Sequence, residues 1–94
     1  MNCFATRDLM ERTYKVGFMY REVGDDDKDS GWRFFSGTES QEYVDNPDNL
    51  VYCTLDDVVK VDEKIARLLN NPVNTAYERD LQTDEFVEVK DFFN

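Results

Sequence analysis

A chain of 94 residues has room for one hydrophobic core, because short chains hide a smaller share of their surface on folding than long ones. Its formal net charge of −10 disfavours binding to nucleic acid phosphate or to anionic lipid. No histidine is present, so neither a Ser/His nor a Cys/His nucleophile can be assembled, and zinc lacks soft ligands. These properties indicate a binding protein without a cofactor or metal, and not an enzyme.

The start of the chain predicts a cytoplasmic protein. The segment MNCFATRDLMERTYK carries charges throughout and lacks the apolar stretch of a secretory signal. No later stretch approaches the roughly 20 apolar residues of a membrane span. Two cysteines, Cys3 and Cys53, are therefore expected to remain reduced thiols.

The first third of the chain predicts three strands. The run CFATRDLM is strand-like, and VGFMYRE alternates in a way that places Val16, Phe18 and Tyr20 on one buried face. The turn-forming segment VGDDDKDSG then leads into WRFFSG, which predicts a hairpin. We expect Phe18 and Tyr20 to pack across this hairpin against Trp32 and Phe34, which should lie on the face opposite Arg33 and Phe35.

Helices and strands mix in the rest of the chain. The segment TESQEYVDNP predicts a short helix capped by Thr38 or Ser40, and NLVYCT predicts a strand. Thr54 begins a capping box, and Asp62 caps DEKIARLLNN, the strongest predicted helix. TAYERD and DEFVEV alternate as two last strands. The predicted fold is a single small α+β domain over residues 1–94, mainly antiparallel sheet with two or three short helices.

The acidity is concentrated in the middle of the chain. No Lys or Arg occurs between Gly37 and Val59, although six carboxylates do. Such a field steers cationic partners toward the protein. The alternative is that these acidic residues serve only to keep the protein soluble. The predicted partner-binding residues are Glu39, Glu42, Tyr43, Asp45 and Asp48, with the hairpin loop residues Asp25, Asp27 and Asp29 at the rim.

That hairpin loop also has the spacing of a calcium loop, with carboxylates at its first, third and fifth places. The glycine comes one place late, and Ser36 stands where a bidentate Glu should be. We therefore interpret the loop as a solvated turn without a metal. The C-terminal Phe92 and Phe93 either cover one end of the sheet or remain exposed.

Four phrases carry a family resemblance: KVGFMYRE, SGWRFFSG, QEYVDNPDN and NTAYERD. Over about Cys3 to Asp80, the chain resembles small bacterial proteins associated with immunity-protein-33-like domains of polymorphic toxin systems. It departs from them around LVYCTLDDVVKV and VKDFFN. The resemblance implies an antitoxin that binds a co-produced toxin domain, and the acidic charge is compatible with a basic partner.

Two hypotheses of different classes follow. The first is an immunity-type protein that neutralises a toxin domain through its acidic surface. The alternative is a non-catalytic accessory or regulatory domain that binds a small ligand or a larger protein, for which a deep apolar pocket would be diagnostic. An enzyme would need a buried carboxylate, Lys or Tyr with a strongly shifted pKa.

Overall fold

The computed structural model describes residues 1–93 and contains a six-stranded mixed sheet. The strands are β1 (Asn2–Thr6), β2 (Phe18–Arg21), β3 (Asp29–Phe35), β4 (Leu50–Thr54), β5 (Thr75–Arg79) and β6 (Phe86–Glu88). Their order across the sheet is β4-β1-β3-β2-β5-β6. The central pair β1 and β3 is parallel, and every other neighbouring pair is antiparallel. The predicted α+β class with a mainly antiparallel sheet is confirmed.

The helical segments are all short. They are a π-helical turn (Leu9–Thr13), α1 (Gln41–Asp45), a 3₁₀ turn (Pro47–Asn49), α2 (Leu55–Val61) and a 3₁₀ helix (Glu63–Leu68). Within residues 1–93, none of these helices has the length and apolar composition needed to cross a bilayer.

The hydrophobic core lies on one side of the sheet, which we call the helical side. Trp32, Phe34 and Met19 point from the strands into this core and are fully buried. Val58 of α2 and Ile65 of the 3₁₀ helix pack against them. The helical side thus buries the largest side chains of the domain, and hydrophobic burial there is the main source of stability.

Both predicted helix caps in this region are confirmed, but the strongest predicted helix is only a six-residue 3₁₀ helix. Thr54 and Asp57 form the capping box of α2. Asp62 ends α2 and caps the 3₁₀ helix, and its carboxylate also accepts hydrogen bonds from Val16 N and the buried Arg79. Because Asp62 is fixed to the sheet, the chain changes direction there and cannot continue as one long helix.

The predicted aromatic pairing across the hairpin is wrong. In the observed register, Met19 lies opposite Phe34, and Phe18 lies opposite Phe35. Met19 is therefore in the core, whereas Phe18 and Tyr20 lie on the other face of the sheet and are half-buried. Both faces of this hairpin carry large apolar residues, so alternation alone could not show which face is the core.

The first predicted strand is too long. β1 ends at Thr6, and Leu9 and Met10 belong to the π-helical turn. Leu9 is fully buried in the core, which explains why an apolar pair follows the strand. Cys3 and Cys53 are free thiols on adjacent strands, with 3.9 Å between their sulfur atoms.

Candidate functional site

The side of the sheet opposite the core is lined by aromatic residues, and we call it the aromatic face. It comprises Phe4, Phe18, Tyr20, Phe35 and Tyr52. The rings contact one another: the Phe4 and Tyr52 centroids are 4.9 Å apart, and Tyr20 stacks on Phe35 at 5.7 Å. Tyr52 retains 48% of its accessible surface. Exposed aromatic clusters of this kind are typical of binding surfaces.

Arg33 lies in the middle of the aromatic face and is nearly buried. Its Nη1 and Nη2 donate to the two carboxylate oxygens of Asp29, each at 2.9 Å, and its Nε donates to Glu22 Oε2 at 2.7 Å. The guanidinium also lies over the Phe4 ring, 5.0 Å from its centroid. Burial opposes the positive charge, but the ion pairs with Asp29 and Glu22 outweigh it and raise the pKa of Arg33.

A bulge in β3 makes this ion pair possible. From the pair Asn2↔Asp29 to the pair Phe4↔Arg33, β1 advances by two residues and β3 by four. In a regular strand, residues four apart are separated by about 13 Å. The bulge shortens that distance so that Asp29 and Arg33 pair directly.

Gly31 lies in the bulge with a φ of +88°, where a Cβ atom would come 1.8 Å from the Glu22 carbonyl oxygen. No other residue fits there without moving β2. The close approach of the backbone at Gly31 to the backbone at Glu22 also places the Glu22 side chain beside Arg33. The segment Asp-Ser-Gly-Trp-Arg therefore forms the bulge that holds Arg33 in place in the sheet.

A cavity of about 250 Å³ opens next to Arg33, and we call it the Arg33 pocket. Its apolar walls are Phe4, Tyr20 and Phe35 from the sheet, with Val44 of α1 and Leu50 at one side. Glu22 and Asp25 supply carboxylates to its lining. Burial and the neighbouring Glu22 carboxylate raise the pKa of Tyr20, so its phenol stays neutral.

The two acidic segments predicted from the sequence border the aromatic face. α1 contributes Val44 to the Arg33 pocket, and the hairpin loop contributes Asp25. The carboxylates of Glu42, Asp45 and Asp48 are exposed around α1. Asp25 and Asp27 are exposed on the hairpin loop. We call these five residues the acidic rim, because each of the two segments contributes one residue, Val44 or Asp25, to the lining of the Arg33 pocket.

Three predicted partner-binding residues form hydrogen bonds within the domain. Asp29 is buried against Arg33, and that hydrogen-bonded pair holds the pKa of Asp29 well below its ordinary value. Tyr43 accepts a hydrogen bond from Asp8 N, which ties α1 to the end of β1. The predicted cap of α1 is confirmed at Ser40.

Glu39 is the third of these residues. Its carboxylate accepts from Thr6 Oγ1 at 2.5 Å and from the backbone N–H groups of Ser36 and Gly37. Burial alone would raise the pKa of Glu39, but these hydrogen bonds outweigh it and lower the pKa. Glu39 thus holds the turn that follows β3 and is not part of the exposed rim.

The C-terminal segment borders the aromatic face on its other side. Phe92 lies 4.9 Å from Tyr20 and 5.3 Å from Phe18, measured between ring centroids. Phe93 meets Tyr20 edge-on at 6.0 Å. The two rings therefore cover Phe18 and one edge of Tyr20 while remaining 42% and 40% exposed themselves. Asn94 lies outside the described residues.

The chemistry of the site favours binding. The buried carboxylates that it contains are paired or hydrogen-bonded in ways that favour the charged form, whereas a general acid near neutral pH needs a raised pKa. Within residues 1–93, no group of three or more metal-ligating side chains converges. What the surface offers is aromatic area, one small pocket and a surplus of negative charge.

In a comparison with protein families, residues 3–90 match the family described as the Immunity protein Imm33 domain. The chain belongs to the Imm33 immunity protein family. Comparison with curated proteins and with solved structures found no match. Membership of Imm33 supports an immunity-type role, and the Imm33 match includes the whole aromatic face on the strands but ends before Phe92.

Sequence reasoning missed the aromatic face and the Arg33 pocket of this Imm33 domain. The carboxylates drew attention because they are consecutive or nearly so, whereas Phe4, Tyr20, Phe35 and Tyr52 come from four different strands. One available signal was a hairpin with aromatic residues on both faces. Only one face can be the core of so small a domain, so the other had to be exposed or covered by a partner.

Proposed function

We propose that this Imm33 domain neutralises a basic toxin domain in the cytoplasm by binding it on the aromatic face and the acidic rim. The observation that carries the proposal is an exposed aromatic surface whose pocket is lined by the carboxylates of Glu22 and Asp25 and by Val44 of the acidic helix α1. Aromatic residues supply most of the binding energy in typical interfaces, and complementary charge accelerates association. The whole chain acts as one domain in this role.

The difference in how far the two sides of the sheet are covered supports the same proposal. The helical side is covered by α2 and the 3₁₀ helix, so its apolar residues are already buried. The aromatic face is bordered by α1, the hairpin loop and the C-terminal segment, and its rings remain partly exposed. A partner that covers it would bury Tyr52, Phe92 and Phe93, three of the most exposed aromatic residues.

The alternative of an accessory domain that binds a small ligand receives less support. The Arg33 pocket has a volume of about 250 Å³, whereas small-molecule sites typically measure roughly 300–1,000 Å³. The acids around it lie on an open surface that suits a macromolecule better than an enclosed ligand.

Charge reversal on α1 tests the proposal. The double variant Glu42→Lys/Asp45→Lys should lose capture of the partner, because the rim would then repel a basic surface. The measurement is affinity capture from lysate of the source organism, elution with a salt gradient, and mass spectrometry, followed by an assay of whether the recovered protein is toxic and is neutralised by the wild-type chain. Screening by salt should release the partner.

The matched control is Asp56→Lys/Glu63→Lys, which makes the same charge change at exposed positions on the helical side. Neither carboxylate forms an ion pair within residues 1–93. This control should capture the partner as the wild type does. Equal capture by both double variants would contradict the proposed face.

A further inference from the structure

We infer that the Arg33 pocket receives a single arginine side chain of the partner, an inference that rests on the proposed function and specifies its chemistry. The size of the pocket sets the first limit. A volume of about 250 Å³ suits one side chain and not a whole ligand of drug size. The apolar walls of Phe4, Tyr20 and Phe35 suit a flat or aliphatic group.

The charge of the pocket selects a cation. Arg33 is the one cation in the lining, and its guanidinium is already engaged by Asp29 and Glu22. Two carboxylates around one guanidinium leave one negative charge in excess, and Asp25 in the lining adds another. An anionic ligand would meet this surplus, whereas a cationic side chain would neutralise it.

Hydrogen-bond acceptors are free at the pocket. Glu22 uses Oε2 for Arg33, and its Oε1 accepts no hydrogen bond within residues 1–93. The Glu22 side chain is 44% exposed, so a donor from a partner can reach it. The Asp25 carboxylate likewise accepts no hydrogen bond from the described residues. Both acceptors stand beside aromatic walls.

This combination favours arginine over lysine. A guanidinium is planar, stacks on aromatic rings and donates two parallel hydrogen bonds to a carboxylate, whereas an ammonium is a compact and strongly hydrated point charge. The site already holds one guanidinium in this way, because Arg33 lies over Phe4 while it pairs with Glu22. The incoming guanidinium would use Tyr20 and Phe35 together with Glu22 Oε1 and Asp25.

The test uses the intact chain and three capped amino acids as probes: N-acetyl-arginine methylamide, the lysine analogue, and the citrulline analogue, which has arginine's shape without its charge. Nuclear magnetic resonance titration follows the ring signals of Tyr20 and Phe35 and the Nε–H of Arg33. The arginine probe should give saturable shifts at these groups with a dissociation constant on the order of 1–10 mM. The lysine probe should bind more weakly, and citrulline should not saturate.

Two variants locate the site. Asp25→Asn, which leaves the Arg33 ion pairs intact, and Glu22→Gln should each weaken the arginine probe about tenfold. The matched control Glu63→Gln, at an exposed position on the helical side and outside the pocket lining, should bind the probe as the wild type does. Equal binding of citrulline, tighter binding of lysine, or shifts that leave Tyr20 and Phe35 unchanged would overturn the inference.

Failure here is distinguishable from failure of the proposed function. No toxin is needed for the probe titration. If the probe does not bind but charge reversal on α1 still abolishes partner capture, the inferred arginine site is refuted and the proposed function is not. If the probe binds but the Glu42→Lys/Asp45→Lys variant captures the partner normally, the proposed partner-binding face is refuted.

Discussion

At the scale of single residues, the aromatic face depends on a buried ion pair. Asp29 accepts from both Nη atoms of Arg33, from Asp25 N and from Gly31 N, so its carboxylate fixes the loop as well as the strand. A buried charge that loses its partner is costly because the remaining charge stays desolvated. Asp29 is therefore a determinant of stability that shapes the binding surface without being exposed on it.

Replacing Asp29 with Asn should lower the free energy of unfolding by about 3–5 kcal/mol at pH 7. Because hydrogen bonding to Arg33 lowers the pKa of Asp29 in the folded state, its stabilising effect is present above its ordinary value of 3.8 and is lost as pH falls further. The stability gap between wild type and variant should consequently narrow below about pH 4. Urea denaturation of both proteins from pH 7 to pH 2.5 measures this difference in the free energy of unfolding.

The control for that experiment is Asp27→Asn, which removes an exposed carboxylate of the same loop. Its stability should differ from the wild type by less than about 0.5 kcal/mol across the range. A gap for Asp29→Asn that stays constant from pH 7 to pH 2.5 would contradict the role assigned to the ion pair.

At the scale of elements, local chemistry was the most predictable part of this fold. The Thr54 capping box, the Asp62 cap and the Ser40 cap could all be read from the sequence, because each depends on residues no more than three positions apart. Strand pairing was harder to predict from the sequence. The hairpin was predicted correctly, but the face assignment of Phe18 and Tyr20 was wrong, since both faces are apolar and only the tertiary packing decides which is covered.

The aromatic face could not be predicted from local patterns for a related reason. β3 pairs in parallel with β1 through a bulge, and neither the bulge nor the parallel register leaves a periodic signal. The acids of α1 and of the hairpin loop could be named from the sequence, but the shared pocket that Val44 and Asp25 line follows from the tertiary fold. Glu39 and Tyr43 looked like surface residues because their partners, Thr6 and Asp8, are more than 30 positions away.

Removing the α2 cap tests the element-scale account. Thr54→Ala leaves Asp57 N without the Thr54 hydroxyl and should destabilise the domain by about 1 kcal/mol. The effect on partner binding should be negligible, because α2 lies on the helical side. Thermal unfolding measures the loss, with Thr13→Ala as the control for an exposed threonine that caps no helix. Equal stability of the two variants would contradict the capping role.

At the scale of the whole molecule, the two sides of the sheet differ in how completely the chain covers them. The helical side holds the core, with Trp32 and Phe34 fully buried under α2 and the 3₁₀ helix. The aromatic face carries a second set of rings that the chain covers only in part. A small domain that leaves this much aromatic surface accessible gains from a partner that buries it.

The measurement that tests this account most directly is the affinity of the purified toxin domain for Tyr52→Ala and for Tyr14→Ala, determined by isothermal titration calorimetry. The two tyrosines are similarly exposed, at 48% and 57%, but Tyr52 lies on the aromatic face and Tyr14 follows the π-helical turn. Tyr52→Ala should weaken binding by about 30-fold, as loss of an interface anchor does, whereas Tyr14→Ala should bind as the wild type does. Unchanged affinity for a folded Tyr52→Ala variant, or a larger loss for Tyr14→Ala, would contradict the assignment of the aromatic face as the toxin-binding surface.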